Sequence, residues 1–217
     1  MQGMKTTATG NTMADNEVYR IIYERRAVRK YKNLELDRES IEAIVDAGRM
    51  APSAINRQPW RFYVFDKKED IALLEKEVLK ASVKGILKSG FKNVLKSVAS
   101  SLHLAHGIDF PKSKNPIFHG APAVVFISAP RDNEWACLDI GMCAQNMMLA
   151  AKSKGLDSCP IGLGKYLEGT KVYSKLNIPD TEKVHLALIF GYGEETPAAH
   201  ERVKNNLFYI DLNKWVI

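Results

Sequence analysis

Three arginines fall within five residues of one another, at Arg25, Arg26 and Arg29. Each guanidinium presents a planar fork of N–H donors, so a group of three at the end of a helical stretch is suited to a phosphate. The same residues would also make a favourable solvated helix end, because cations stabilise the negative end of the helix dipole. The motif alone leaves phosphate binding and a basic helix terminus as alternatives.

A second motif follows at residues 52–60, with the sequence Pro-Ser-Ala-Ile-Asn-Arg-Gln-Pro-Trp. Two prolines bound it, Asn56 and Gln58 supply amide donors, and Trp60 leads into a strand-like run. Side-chain amides both donate and accept hydrogen bonds, so the segment could contact a ligand. A proline-bounded structural loop is the alternative interpretation.

Two later segments add features of a ligand site. Residues 155–164 contain three glycines and offer backbone amides at a place where a ligand can approach closely. A Gly-Tyr-Gly tripeptide at residues 191–193 ends a predicted strand and precedes the basic residues His200 and Arg202.

The elements that must position these motifs begin with helices around one strand. Asp15 can cap a helix that runs to the arginines, and Asp37 can cap a second helix that ends near Pro52. Aromatic alternation over residues 61–66 predicts a strand. Residues 68–106 have helical periodicity, which Gly85 and Gly90 are expected to break into two helices.

The second half of the chain adds buried strands and one strongly apolar helix. Residues 123–129 form an apolar run bounded by prolines, which is typical of a buried strand. Residues 135–154 are apolar on nearly every face, which predicts a central buried helix with Gly155 as its C-cap. With a further strand predicted at residues 184–190, the irregular alternation indicates an α+β fold with a mixed central sheet flanked by helices.

Composition limits the classes of function. The chain has 217 residues, of which 46% are hydrophobic and 26% charged, and we expect a single domain over residues 15–217 after a flexible leader at residues 1–14. No apolar run reaches the roughly 20 residues that span a bilayer. The net charge of +6 comes without a nucleic-acid-binding signature. Cys137, Cys143 and Cys159 lack metal or disulfide spacing and predict buried thiols in a reducing cytoplasm.

The four motifs, in this order from residue 25 to residue 202, resemble the FMN-dependent nitroreductase family. The strand at residue 123 and the helix containing Asp139-Ile140-Gly141 and Gln145-Asn146 are also similar to that family. The resemblance implies a nitroreductase-like fold and an intertwined homodimer. FMN would lie at the subunit interface, and C-terminal arms (about residues 203–217) would be exchanged between subunits.

The resemblance also implies roles for individual positions. Arg25, Arg26 and Arg202, with His200 beside it, would hold the FMN phosphate, and Arg29 would approach the flavin ring. Residues 52–58 would reach the flavin of the other subunit, and residues 161–163 would point a backbone amide at its N5 atom. The implied catalytic residues are Arg29, Gly162 and Leu163. The implied cofactor-binding residues are Arg25, Arg26, Ala27, Arg29, Pro52, Ser53, Ala54, Asn56, Gln58, Pro160, Ile161, Gly162, Leu163, Gly164, His200 and Arg202.

Three positions depart from the family pattern. Ala27 stands where a serine is common, Ala54 lacks a hydroxyl that is common there, and His200 replaces a usual lysine or arginine. Each change removes a fixed polar contact or charge, so we expect FMN to be held more loosely.

Two regions keep alternatives open. Lysines recur every fourth residue at positions 76, 80, 84, 88, 92 and 96, and each step of four advances about 40° around a helix. They would form either a solvated face or a basic lid in a variable helical region at about residues 68–120. The apolar tail at residues 207–217 must be buried, either on its own domain or on a second subunit.

The function implied is an FMN-dependent oxidoreductase. It would pass electrons from NADH or NADPH through bound FMN to a nitroaromatic, a quinone or a similar small acceptor, in a ping-pong sequence. A specialised relative that cleaves flavin or removes halogen is an alternative. A basic protein that holds FMN or nucleic acid without turnover is a less favoured one.

Overall fold

The computed structural model of the chain describes residues 16–88 and 115–211. The helices in these ranges are α1 (Glu17–Glu24), α2 (Arg38–Arg49), α3 (Lys68–Lys88) and α4 (Ala136–Ser153). The strands are β1 (Arg61–Phe65), β2 (Ala123–Pro130), β3 (Asp157–Ile161) and β4 (Glu182–Gly191). Short 3-10 helices occupy Ala54–Asn56, Gly162–Gly169 and Tyr173–Lys175. The predicted leader, the predicted helix beyond residue 88 and the last six residues lie outside the described ranges.

The four strands form one sheet in the order β1-β2-β4-β3, and each neighbouring pair is antiparallel. The predicted α+β class is confirmed. The sheet of the described residues is antiparallel where a mixed sheet was predicted, and parallel pairing in these residues is limited to one bridge between Ala27 and Ser158. No strand was predicted in the glycine-rich segment where β3 lies. This strand contains Pro160, which cannot donate a backbone hydrogen bond and is tolerated because β3 is an edge strand.

Each face of the sheet carries its own hydrophobic core, because alternate residues of a strand point to opposite faces. Val125 of β2 faces a core that includes Ile44 of α2 and Met147 of α4. Val124, its neighbour, faces a second core that includes Leu74 of α3. Chain segments that pack into different cores therefore lie on opposite sides of the sheet.

Helix α1 begins and ends within one residue of the prediction, but its cap is different. Asn16 is the N-cap, and its side chain accepts a hydrogen bond of 3.0 Å from the Val18 N–H. Asp15, the predicted cap, lies outside the described residues. The helix ends at Glu24, so that Arg25 is its C-cap and the arginine motif continues as extended chain.

The caps of α2 and α4 agree with the predictions. The Asp37 side chain accepts a hydrogen bond of 2.6 Å from the Ser40 N–H at the start of α2. Gly155 has a φ of 74° after the end of α4, and the following Leu156 N–H bonds the Ala151 carbonyl at 2.9 Å. This pair of features is the usual glycine-terminated helix end.

Two predictions about the helices were wrong. Gly85 does not interrupt α3, which runs through it to residue 88. A Cβ atom at Gly85 would instead collide with the Tyr166 ring, so close packing explains this glycine. Helix α4 is not buried on every side within one chain, since Leu138 is 55% exposed and Cys137 is also exposed. The prediction of buried thiols holds only for Cys143 and Cys159.

The described part of the apolar tail does not pack on its own domain. Leu207, Phe208, Tyr209 and Ile210 are each at least 69% exposed in the single chain. Such side chains are expected to be covered in the assembled protein. Of the two interpretations of the tail, the exposure favours burial on a second subunit.

Candidate functional site

The arginine motif lies alongside β3. The Val28 N–H donates a hydrogen bond of 3.1 Å to the Ser158 carbonyl, and Ala27 forms the bridge to the same residue. Val28 itself is buried in the same core as Cys159 and Ile161 of β3. The motif is thus attached to the edge of the sheet at the point where the glycine-rich segment begins.

The chain that follows β4 holds the other side of the motif. The Lys32 N–H donates to the Tyr192 carbonyl and the Glu194 N–H donates to the Lys30 carbonyl, both at 2.8 Å. The first, third and fourth sequence motifs are therefore brought together by backbone hydrogen bonds within one chain.

The guanidiniums of this cluster repel one another. Burial lowers the pKa of the half-buried Arg25, and the charges of Arg26 and Arg202 lower it further. Among the described residues, none of these three arginines forms an ion pair with a carboxylate. The Arg26 Nε is buried without a hydrogen-bond partner, although its Nη1 donates to the Tyr23 carbonyl at 2.6 Å. A cluster of positive charges that includes an unpartnered hydrogen-bond donor is suited to an anion such as a phosphate.

His200 and Arg202 lie on the exposed chain after β4. The Arg202 Nη1 donates to the His200 carbonyl at 2.7 Å, which keeps the two residues side by side. The effect of Arg202 on the Arg25 pKa shows that its charge reaches the arginine motif.

The glycine-rich segment has exposed backbone after β3, at Gly162. Gly162 is exposed, and a Cβ atom built there would have no neighbour within 4 Å in the described part of the chain. At Gly164 a Cβ atom would lie 2.5 Å from the Ala187 Cβ, so this glycine packs against β4. Pro160 is exposed and Leu163 is half-buried. Ile161 is buried in the core that includes Leu74 of α3. Gly162 is therefore the open position within residues 160–164.

His119 belongs to the same region, although no sequence motif indicated it. Burial lowers its pKa to about 4, with a further lowering by the charge of Arg29 and an opposite effect of Glu195. Its backbone is left-handed, with a φ of 54°, and Gly120 after it has a φ of 73°. The His-Gly pair before a buried strand was the available sequence signal for such a turn.

A buried carboxylate fixes the loop that carries His119. Glu75 of α3 is 5% exposed, and its two oxygens accept hydrogen bonds from the Ile117 N–H at 2.7 Å and the Phe118 N–H at 2.8 Å. Burial raises the Glu75 pKa against the opposing effect of these two bonds. The imidazole of His119 is thus carried on a loop anchored to α3.

Residues 52–58 lie on the other side of the sheet. Ala51 and Trp60, which flank the segment, pack into the core shared by α2 and α4, whereas Val28 and Ile161 pack into the opposite core. Within one chain, the first, third and fourth motifs therefore lie together, and residues 52–58 lie apart from them.

The separated segment has an unusual backbone. Ile55, Asn56 and Gln58 all have positive φ, at 47°, 56° and 48°, although none is glycine. The Ser53 Oγ accepts from the Gln58 N–H at 2.9 Å, and the Asn56 Oδ1 accepts from the Gln58 Nε2 at 3.0 Å. The two amide side chains are exposed in this arrangement. Left-handed backbone of this kind costs energy and is concentrated at functional sites.

The segment is tied to α4 by one side chain. The Asp139 Oδ1 accepts a hydrogen bond of 3.1 Å from the Ala54 N–H. Pro52 precedes this contact and is exposed.

The described residues offer neither a metal-binding cluster nor a membrane-spanning helix. Over residues 16–88 and 115–211, no group of three or more His, Cys, Asp or Glu side chains is placed to hold a metal ion. No helix in the described part of the chain has the length and apolarity needed to cross a membrane.

Comparison with protein families gives one match over most of the chain. The model of the Nitroreductase family matches residues 22–192. The protein named Nitroreductase NfnB from Mycolicibacterium smegmatis is 31% identical over 200 residues, which cover 83% of this chain and 85% of that protein. A chloronitrobenzene nitroreductase from Comamonas testosteroni is 27% identical over 207 residues, covering 83% of this chain and 88% of that one.

Solved structures give the same fold. The crystal structure of a nitroreductase with bound FMN from Desulfitobacterium hafniense superposes with a TM-score of 0.70 at 24% identity. The match covers 90% of this chain and 99% of the other.

Proposed function

Because the chain belongs to the nitroreductase family, we propose that it is an FMN-dependent oxidoreductase. It would use NADH or NADPH as the electron donor and a nitroaromatic, a quinone or a similar small molecule as the acceptor. The observation that carries the proposal is the cluster of Arg25, Arg26 and Arg202, which has no carboxylate partner among the described residues. A phosphate group supplies the charge that this cluster lacks.

The chain's own residues would bind and orient the cofactor. The three arginines would hold the phosphate, and Arg29 would place its positive charge beside the ring. The open backbone at Gly162 would let the ring approach, because a side chain is absent where the space is free. When bound, FMN supplies the redox chemistry, accepting a hydride from the nicotinamide and passing electrons to the acceptor. If donor and acceptor use the same cleft in turn, the kinetics are ping-pong.

Arg29 has the charge and the placement for an electrostatic role. Its backbone N–H donates to the Glu195 carboxylate. Among the described residues, its guanidinium forms no ion pair. A fixed cation stabilises negative charge that develops beside it. His119, neutral near pH 7 because of its low pKa, would add no competing positive charge.

We further propose a homodimer in which residues 52–58 of one subunit complete the site of the other. This arrangement would account for the segment lying across the sheet from the other three motifs. It would also cover the exposed apolar residues of α1, α4 and the tail, which include Ile22, Leu138 and Phe208.

The visible absorption spectrum of the purified protein with FMN, before and after anaerobic NADH or NADPH, tests the proposal. We expect bound flavin that bleaches when the nicotinamide is added. Bound flavin that stays oxidised would indicate a specialised relative with another reductant. Absence of flavin binding would refute the proposal.

A further inference from the structure

The Asp139 carboxylate, which contacts the Ala54 backbone, is buried and has a hydrogen-bond partner for only one of its oxygens in the described structure. Asp139 is 1% exposed. One of its oxygens accepts from the Ala54 N–H at 3.1 Å, while the other, Oδ2, is buried without a hydrogen-bond partner in the described structure. A buried carboxylate oxygen with no donor costs stability. The stability of this chain alone therefore does not account for an aspartate at this position.

The residue that Asp139 holds belongs to the strained segment. Ala54 opens the 3-10 turn Ala54–Asn56, within which Ile55 and Asn56 are left-handed. The other hydrogen bonds of the turn are internal. Gln58 donates to the side chains of Ser53 and Asn56. The Asn56 and Arg57 N–H groups donate to the Ser53 and Ala54 carbonyls. Among the described residues, the hydrogen bond that the Ala54 N–H donates to Asp139 therefore ties this turn to the rigid body of α4. Without it the turn can relax or shift, because left-handed residues persist only where surrounding structure holds them.

We infer that Asp139 is a positioning residue, which holds the turn at residues 54–58 in the orientation that a cofactor bound by the partner subunit requires. The inference rests on the proposed FMN site and adds a residue that the family resemblance did not assign to it. Asp139 acts through the Ala54 N–H. Its contribution is therefore to cofactor affinity rather than to the chemistry.

Two substitutions separate this role from a general structural one. Asp139→Ala removes the acceptor, together with the unpartnered oxygen. Asp139→Asn keeps an oxygen that can accept from the Ala54 N–H. Asn146→Ala is the matched control on the same helix, because the Asn146 amide donates to the Ala47 carbonyl at 3.3 Å and ties α4 to α2 instead.

FMN titration followed by flavin fluorescence measures the effect in the full-length protein. We expect the dissociation constant of Asp139→Ala to rise about tenfold, the loss expected from one hydrogen bond that orders a binding segment. Asp139→Asn should restore affinity to within about threefold of the wild type, and Asn146→Ala should leave it unchanged. Hydrogen exchange of the apo protein should show faster exchange in residues 52–58 of Asp139→Ala only.

The results that overturn the inference are distinct from those that overturn the function. If wild-type protein binds FMN and Asp139→Ala binds it equally well, the positioning role is wrong. Equal loss in the alanine and asparagine variants, or equal loss in Asn146→Ala, would also reject it. If wild-type protein binds no FMN, both the proposed function and this inference fail.

Discussion

The backbone N–H of Arg29 donates a hydrogen bond of 2.6 Å to the Glu195 carboxylate, joining residues 166 positions apart. The arginine motif is therefore held at its end by the chain after β4 and near its middle by β3, through the Val28–Ser158 bond. Both contacts are made by the backbone, and the Arg29 guanidinium forms no ion pair among the described residues.

Removing this carboxylate should loosen the motif. We expect Glu195→Ala to lower the free energy of unfolding by about 1–2 kcal/mol, since the lost bond has a charged acceptor and is partly buried. Glu195→Gln keeps an acceptor for the Arg29 N–H and should retain most of the stability. Urea denaturation of the three proteins measures the difference. An alanine variant as stable as the wild type would mean that this bond contributes nothing to the fold.

Arg29→Ala should impair flavin reduction more than FMN binding. In the proposed site its guanidinium would supply positive charge beside the ring, whereas other arginines would hold the phosphate. Its charge would therefore matter most where negative charge develops. Anaerobic stopped-flow reduction by NADH or NADPH and an FMN titration give the two quantities. An unchanged reduction rate would remove Arg29 from the mechanism.

Arg25→Ala should weaken FMN binding by about 10- to 100-fold, the usual effect of losing a charge-assisted hydrogen bond. Arg20→Ala is the control, because it removes the same charge from α1 where the side chain is paired with Glu17 and Glu24. Titration at two salt concentrations separates a phosphate contact from a general effect of net charge. Similar losses in both variants would argue against a phosphate site at Arg25.

Alanine substitution should have different effects at two glycines of the glycine-rich segment, lowering stability at one and FMN affinity at the other. Gly164→Ala should lower the unfolding free energy by about 1–3 kcal/mol, because its Cβ would lie 2.5 Å from the Ala187 Cβ. Gly162→Ala should leave stability unchanged and weaken FMN binding, since the new methyl group would project into open space where the ring is proposed to lie. Thermal unfolding without FMN and titration with FMN test the pair. Full FMN affinity in Gly162→Ala would place the ring elsewhere.

His119 should make stability depend on pH. Its pKa is about 4 in the folded protein against an ordinary value of 6.5, so between these values the unfolded chain binds a proton that the folded chain does not. The contribution is fully present above pH 6.5 and is lost as the pH falls towards about 4. After allowance for solvent screening we expect a difference of about 1–2 kcal/mol.

The control for this prediction is His119→Asn, because asparagine tolerates the left-handed backbone at this position. Urea denaturation from pH about 4 to about 6.5 should show a shallower pH dependence in the variant. Parallel curves for the two proteins would show that His119 does not titrate as described.

Local sequence patterns were sufficient to predict most of the helices and strands of the described residues. The capping residue Asp37, the apolar run of β2 and the terminal Gly155 each act through neighbours a few residues away, so their effects can be read without knowing the fold. Patterns failed where packing from distant residues decided the outcome. Helix α3 continues through Gly85, where the Tyr166 ring leaves no room for a side chain, and β3 pairs with β4 despite its proline.

By itself the sequence determined the family, the α+β class and the short motifs that carry cations, amides and open backbone. These properties depend on residue type, order and spacing along the chain. Only the tertiary structure decided which motifs meet. It joined residues 25–29 to β3 and Glu195, added His119, and placed residues 52–58 across the sheet on Asp139. Such contacts arise from sheet pairing and from two cores on opposite faces, and no local pattern in the chain specifies either.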